Sequence, residues 1–273
     1  MPELPEVETV KRGLAPVMEG SCFQRVILNR SDLRFAFPPD FVKRLEGTEV
    51  ERLNRRAKFL MATLSSGETL LMHLGMSGSF IVGEARAQQN PKHDHVVFEM
   101  SGGSRIIYND PRRFGFMELL VKGDVGRLAH IGPEPLSNLF NSPCLLKALH
   151  DKKASIKSAL LDQRVVAGLG NIYVCEALYD AHISPKRPAR TLTISEGERL
   201  CGTIKLTLER AIKAGGSSLK DFVNAEGNLG YFQHSFLVYD REDEDCMAEG
   251  CNGVIQRMKQ SGRSTFFCPK CQK

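Results

Sequence analysis

The last 28 residues constrain this chain most. Cys246 and Cys251 form a C-x4-C pair, Cys268 and Cys271 form a C-x2-C pair, and sixteen residues separate them. Between the pairs, "GVIQRM" and "RSTFF" read as two strands of a hairpin that turns at "QSG". The chain opens with "MPELPEVETV", which carries three carboxylates in its first eight residues and no apolar run, so it does not read as a secretory signal. Without an oxidising compartment, four clustered thiols favour a metal over disulfides or free cysteines. Four thiolates in a tetrahedron suit one zinc ion, and a closed site of that kind is structural. Zinc ligation contributes roughly 10–16 kcal/mol in isolated finger peptides, enough to fold so short a segment. Arg263 then sits on a rigid platform, available for a phosphate. The other cysteines, Cys22, Cys144, Cys175 and Cys201, stand singly in apolar surroundings and read as small core residues.

The chain has 273 residues, enough for a sizeable core and two domains. Its hydrophobic content of 42% and charged content of 25% are those of a globular protein, and no window approaches a membrane span. A cytoplasmic monomer is the expectation. The net charge of +5 is modest, but the cations cluster. Five lie between Cys251 and Lys273 with no carboxylate, and others gather at Arg52, Arg55, Arg56 and Lys58, at Arg112 and Arg113, and at Lys152, Lys153 and Lys157. Separate basic patches suit a polyanion laid across a surface; scattered solvated charge is the plainer alternative.

Val7, Val10, Leu14, Val17 and Met18 share one helical face, which predicts a helix over 4–18, bent or ended near Pro16. Short apolar segments follow at 22–29, 48–54, 58–64, 69–74, 79–82, 95–100, 105–109 and 115–121, separated by turn residues, as in a β-sandwich or barrel. After "HIGPEPLS" the pattern turns helical, at 142–150, 155–162, 171–181 and 195–213. Ser195 and Glu198 have the spacing of a capping box for the last of these. The stretch 216–234 reads as a long functional loop. The expected fold is α+β: an N-terminal helix and β-sandwich domain (1–130), a helical domain (131–235) and a zinc-finger hairpin (236–273).

Three further motifs carry chemistry. In "YNDPRRFG", Arg112 and Phe114 flank a turn, placed to read a base edge and to wedge between base steps; a surface turn with one buried Phe explains it too. In "HLGMSGS", Met76 stands at a glycine-flanked tip, able to enter a base stack or to pack inward. In "VVAGLGNIYVCEAL", two glycines precede Asn171 at a helix start, a place for a phosphate oxygen or a plain glycine turn. His93, beside Asp94 and His95, lacks a third metal ligand nearby and reads as a strand-start residue or a phosphate contact. The opening stretch gains meaning in this company. Met1 precedes a small residue, the context in which it is removed, and Pro2 would then carry a free secondary amine. An α-amino group titrates near about 7.7–8.0, against about 10.4 for lysine, so part of it is nucleophilic at neutral pH. Such an amine can attack a sugar C1′ and form an iminium ion directly, with Glu3 beside it to move protons and Lys58 of "NRRAKFL" as the cationic partner. Pro and Glu that merely open a helix are the alternative.

"PELPEVET", "RRAKFL", "HLGMSGS", "KHDHV", "DPRRFG", "IGPEPLS", "GNIYVCEAL" and the four-cysteine tail together resemble the bacterial formamidopyrimidine-DNA glycosylase family, from Pro2 to Lys273 and in the family's order. The resemblance implies excision of oxidised purines from double-stranded DNA followed by β,δ-elimination at the abasic site. It implies Pro2 as Schiff-base nucleophile, Glu3 as acid/base, Lys58 as proton donor in β-elimination, and Arg263 in δ-elimination. Met76, Arg112 and Phe114 would fill the gap left by the everted nucleotide. His93, Lys152, Lys153, Lys157 and Asn171 would contact DNA, Asn171 from a helix–two-turns–helix element. The loop near 217–233 would close over the damaged base, and Cys246, Cys251, Cys268 and Cys271 would hold the zinc. Cys246-x4-Cys251 departs from the C-x2-C of many members, which touches the geometry near Arg263. Two rivals remain at this level: an endonuclease VIII-like glycosylase for oxidised pyrimidines, and a non-catalytic zinc-ribbon nucleic-acid-binding protein that leaves Pro2 and Glu3 without a task.

Overall fold

A computed structural model of the chain describes residues 1–84, 92–217 and 230–273. It divides into two compact units. The first holds Met1–Ala129 and the described residues among 214–231; the second holds His130–Lys213 and Phe232–Lys273.

The first unit begins with helix α1 (Leu4–Met18), whose buried face carries Leu4, Val7, Val10, Leu14 and Met18. The helix runs two residues past Pro16, to Met18. Pro16 lies in the last turn, where its missing N–H removes a single helix bond, and the Glu19 N–H still closes the helix on Ala15. Two four-stranded antiparallel sheets follow. One is ordered β1 (Phe23–Leu28), β6 (Asp94–Met100), β7 (Ser104–Asn109), β5 (Ser79–Glu84); the other is β2 (Val50–Arg56), β3 (Phe59–Leu64), β4 (Thr69–His73), β8 (Phe116–Leu120). Alternation shows best in β3, where Leu60, Ala62 and Leu64 are buried and their neighbours half-buried. Leu60 and Leu64 join Phe23, Phe98, Ile106 and Tyr108 of the other sheet, with the apolar face of α1, in one core. The sandwich is therefore closed by residues of both sheets at period two and of α1 at helical period. A short helix, α2 (Phe41–Leu45), was not legible in the sequence; it buries only Phe41 and Leu45.

In the second unit α3 (Ser142–Leu149), α4 (Ile156–Leu160), α5 (Asn171–Asp180) and α6 (Ile194–Lys213) lie close to the expected spans. The capping box of α6 is two residues earlier than expected. Thr193, not Ser195, caps the helix: Thr193 N–H donates to Glu196 Oε2 at 2.9 Å and Glu196 N–H donates to Thr193 Oγ1 at 3.3 Å. Arg187 decides between the two registers, since it adds its guanidinium to Glu196 at 3.0 Å. The tail forms the hairpin β9 (Gln256–Gln260) and β10 (Arg263–Phe267), with Ser261 and Gly262 at positive φ in the turn. Its first strand starts later than "GVIQRM" suggested, because Gly253 and Ile255 are spent on backbone bonds to Cys246, Asp243 and Glu244. Among the lone cysteines, Cys175 and Cys201 are buried, whereas Cys22 and Cys144 are only half-buried.

Among the described residues no helix is long and apolar enough to cross a membrane. The Arg187 guanidinium holds the Glu196 carboxyl down to about 2, against 4.5 ordinarily, with the Thr193 bonds adding to it and burial opposing it. A depressed carboxylate stabilises the fold above its unfolded pKa and loses that contribution as pH falls through about 2. Glu196→Gln should therefore lower stability near pH 7 by about 1 kcal/mol, the usual worth of a cap. The difference in thermal midpoint from the native chain should vanish towards pH 2.

Candidate active site and nucleic-acid interface

The N-terminus is fixed by carboxylates. Glu3 is the N-cap of α1, and its backbone N–H donates to Glu6 Oε2 at 2.8 Å while its own carboxylate takes the Glu6 N–H. The other Glu6 oxygen accepts the N–H and the hydroxyl of Ser217, at 2.9 and 3.0 Å. Pro2, Glu3 and Glu6 are buried, and Met1 is half exposed. Met1 lines a cleft of about 580 Å³ together with Arg34, His73, Met76, Arg112 and Phe114. The sequence-predicted nucleophile region and all three predicted wedge residues thus share one concavity.

The two loop tips that carry Met76, Arg112 and Phe114 meet at a buried carboxylate. Asp110 accepts from the Ser77 hydroxyl at 2.6 Å, from Gly115 N–H at 2.8 Å and from the Tyr108 hydroxyl at 3.3 Å. Ser77 Oγ in turn receives the Arg112 N–H at 3.1 Å, so the tips of "HLGMSGS" and "DPRRFG" are tied to one node. Tyr108 is held well above its usual range by burial first and then by Asp110. Close approach explains the glycines here: a Cβ on Gly75 would lie 2.3 Å from the Phe114 backbone, and one on Gly115 would lie 1.7 Å from the Tyr108 hydroxyl. Met76 and Phe114 are left 36% and 40% exposed, and Arg112 lies over the Phe114 ring at 5.1 Å. His93 holds the base of this loop by its carbonyl, which accepts from Asp110 N–H.

Lys58 is buried at the β2–β3 turn, where Ala57 has positive φ. The turn is braced by Arg55, which donates to the Ala57 carbonyl at 2.9 Å and to Glu8 at 3.1 Å. Lys58 leads into Phe59, the register partner of His73. The His73 ring stacks on Phe116, with centroids 5.2 Å apart, and lies 4.9 Å from the Phe59 ring. Burial, and then the charges of Lys58, Arg34 and Arg127, lower its pKa to about 4. Its Nδ1 accepts the Gly75 N–H, so the neutral ring carries its proton on Nε2.

In the second unit, the two turns between α4 and α5 are pinned by Gln163, which accepts from Gly168 N–H and donates to the Leu161 and Leu169 carbonyls. Asn171 opens α5 and donates to the Ser264 carbonyl of the hairpin at 2.9 Å. Arg263 and Lys153 are exposed, and Lys152 is half-buried beside Asp162 at 3.4 Å. Lys157 departs from expectation. Its side chain is fully buried and donates to Ser264 O and Thr265 Oγ1, so in this arrangement it does not offer its ammonium to a ligand. The expected base-capping loop near 217–233 falls mainly on residues outside the described ones.

The four tail sulfurs lie within 4.8 Å of one another, with Cys246–Cys271 at 3.6 Å and Cys251–Cys268 at 3.8 Å. These separations exceed a disulfide bond of about 2.05 Å and match the edges of a tetrahedron with Zn–S of about 2.3 Å. A Cβ on Gly253 would reach 2.7 Å from Cys268 Sγ, so the backbone is cut to fit this cluster. The wider Cys246–Cys251 spacing closes without displacing a ligand. The four cysteines hold one structural zinc ion.

The sequence had missed His73, Asp110 and Glu6. Each lies inside one of the motifs, beside residues with a plainer chemical signal. The Glu3-x-x-Glu6 spacing of a capping box was the one available signal.

Known proteins agree with this geometry. Family models match in succession: the formamidopyrimidine-DNA glycosylase N-terminal domain over residues 1–117, its H2TH domain over 131–223, and the zinc finger found in FPG and IleRS over 251–273. Those three parts define a class, DNA glycosylases that join a domain of sheets to a helix–two-turns–helix domain and a zinc finger. The chain is 57% identical to the formamidopyrimidine-DNA glycosylases of Bradyrhizobium sp. (strain BTAi1) and Rhodopseudomonas palustris (strain BisA53), over all of each chain. It is 38% identical to the Thermus thermophilus FPG protein, covering 99% of this chain and 98% of that one, with a TM-score of 0.87. The Lactococcus lactis Fpg bound to abasic-site DNA matches with 35% identity, 99% of each chain and a TM-score of 0.88. This chain belongs to the formamidopyrimidine-DNA glycosylase family.

Two outcomes are expected. The His73 ring resonances in an NMR titration should stay neutral down to about pH 4. Because the unfolded chain takes up that proton first, the site should lose stability as pH falls from about 6.5 and level off below about 4. Metal analysis of freshly purified protein should find one zinc per chain, and chelation should abolish DNA binding while leaving the sheet domain folded.

Proposed function

We propose that this chain excises oxidised purines such as 8-oxoguanine and formamidopyrimidines from duplex DNA and then cleaves the strand, with the Pro2 nitrogen as nucleophile. The observation that carries the reading is the shared cleft, in which the N-terminus, the neutral His73 and the exposed Met76, Arg112 and Phe114 meet. A base inside a duplex cannot present C1′ to an amine fixed in a protein, so the nucleotide must be flipped, at a cost of a few kcal/mol. Met76 and Phe114 enter the vacated stack and offset part of that cost. Arg112, permanently charged, donates to the acceptors of the orphaned cytosine.

Removal of Met1 opens the Pro2 amine to the cleft. The amine forms a bond to C1′ as the glycosidic bond breaks; the base leaves with the electron pair, and Glu3 handles the proton. The C1′–O4′ bond then breaks as the nitrogen lone pair forms the C=N bond, and O4′ takes the electron pair and the proton that Glu3 returns, which leaves an iminium ion that acidifies C2′. Loss of the C2′ proton to water then expels the 3′ phosphate with the electron pair of its C–O bond, Lys58 donating a proton to that leaving group, and loss of the C4′ proton to water likewise expels the 5′ phosphate while Arg263 grips phosphate. Lys153, Lys152 and Asn171 hold the backbone, and His93 adds a phosphate contact. Zinc supplies no step; its ligands are all protein thiolates. One chain carries every group named, so the enzyme acts as a monomer, in the bacterial cytoplasm on nucleoid DNA.

The test compares mature protein with protein whose N-terminus is blocked by retained Met1 or a fused tag. An amide nitrogen has no nucleophilic lone pair, so base excision and strand cleavage should both vanish while DNA binding survives. Pro2→Gly should keep a weakened activity through a primary amine, and Glu3→Gln should bind lesion DNA but lose most excision. Full activity from blocked protein would end this reading.

A further inference from the structure

Arg263 is exposed, yet the backbone on both sides of it is held from within the helical unit. In the hairpin turn, Ser261 Oγ shares a hydrogen bond of 3.1 Å with Ser158 Oγ of α4. On the other side, the Ser264 carbonyl accepts from Lys157 Nζ at 2.8 Å and from the Asn171 amide at 2.9 Å. Lys157 also donates to Thr265 Oγ1 at 2.7 Å. Thr265 donates onward to Gln260 Oε1 at 2.8 Å, and Gln260 Nε2 donates to the Pro185 carbonyl at 3.2 Å. The ammonium sets the direction of this relay. It has donors only, so the threonine hydroxyl must accept from it and donate to the glutamine, which fixes the amide's orientation.

Lysine is almost never fully buried, and desolvating an ammonium costs several kcal/mol. A methionine would fill similar volume without that cost, so the charge is retained for what it orders. What it orders is the first two residues after Arg263. We propose that Lys157 is a positioning residue for Arg263: it locks the root of β10 so that the guanidinium meets a phosphate in one geometry. This rests on the reading of Arg263 as a phosphate-gripping residue, and it replaces the direct DNA contact expected of Lys157.

A double-mutant cycle on the full-length, zinc-loaded protein tests it, with affinity for a duplex carrying a tetrahydrofuran abasic-site analogue as readout. Zinc content and thermal unfolding serve as fold controls. Arg263→Ala alone tests the underlying reading. It should weaken binding about tenfold to a hundredfold, as for a charge-assisted hydrogen bond, and flatten the logarithmic salt slope by about one. Unchanged affinity and slope would remove that reading whatever Lys157 does. Given the loss, Lys157→Met should weaken binding about tenfold in the native background but less than about twofold in the Arg263→Ala background, since two residues acting as one unit are not additive. Thr265→Val, which removes one acceptor only, should show a smaller loss with the same non-additivity, and it carries the test if Lys157→Met does not fold. Equal losses in both backgrounds, or no loss in a folded Lys157→Met protein, would overturn the proposal.

Discussion

The Glu6 carboxylate is the constraint on which the placement of the N-terminus depends. A chain terminus frays unless it is tied down, and this one is tied down. Glu6 is buried, and burying a carboxylate costs energy unless donors surround it. Here the donors are the Glu3 N–H on one oxygen and the Ser217 N–H and hydroxyl on the other. The need to satisfy Glu6 thereby fixes the residue next to Pro2. It also draws Ser217 and its neighbours, expected with the helical block, into the first unit, where a Cβ on Gly216 would stand only 3.1 Å from Glu6.

The same device recurs. Asp110 draws two loop tips to one node, and exposure of Met76 and Phe114 follows from that backbone geometry rather than from any lack of apolar partners. Glu176 of α5 receives the backbone N–H groups of Leu237, Val238 and Tyr239, and so holds the start of the tail against the helical unit. Its own pKa is nevertheless raised, because burial outweighs those three donors. Lys157 plays the reciprocal part with donors. In each case one buried ionic group ties together backbone segments that are far apart in the sequence.

Much of this was readable in the residues, and the failures are instructive. The apolar periods of α1 and of the strands are large, local signals, and the cysteine spacing states the zinc site outright. The motifs single out Pro2, Glu3, Met76, Arg112, Phe114 and Arg263 as candidates. The cap of α6 was misread by two residues because Ser195-Glu198 and Thr193-Glu196 have the same spacing, and only the distant Arg187 separates them. The burial of Lys157 is not legible because a sequence shows charge but not position. Its partners lie 107 and 108 residues away, and nothing local distinguishes it from the exposed Lys153. The low pKa of His73 is not legible because it comes from burial and then from Lys58, Arg34 and Arg127, which are far apart in the sequence.

The central claim, that the terminal amine and not a lysine makes the bond to DNA, can be read from a single covalent linkage. Mature protein is incubated with a duplex containing 8-oxoguanine in the presence of borohydride, and the reduced adduct is digested and sequenced by tandem mass spectrometry. The account predicts that the sugar remnant sits on the nitrogen of Pro2, in a peptide lacking Met1. A remnant on Lys58, or on any side chain other than the Pro2 nitrogen, would contradict it.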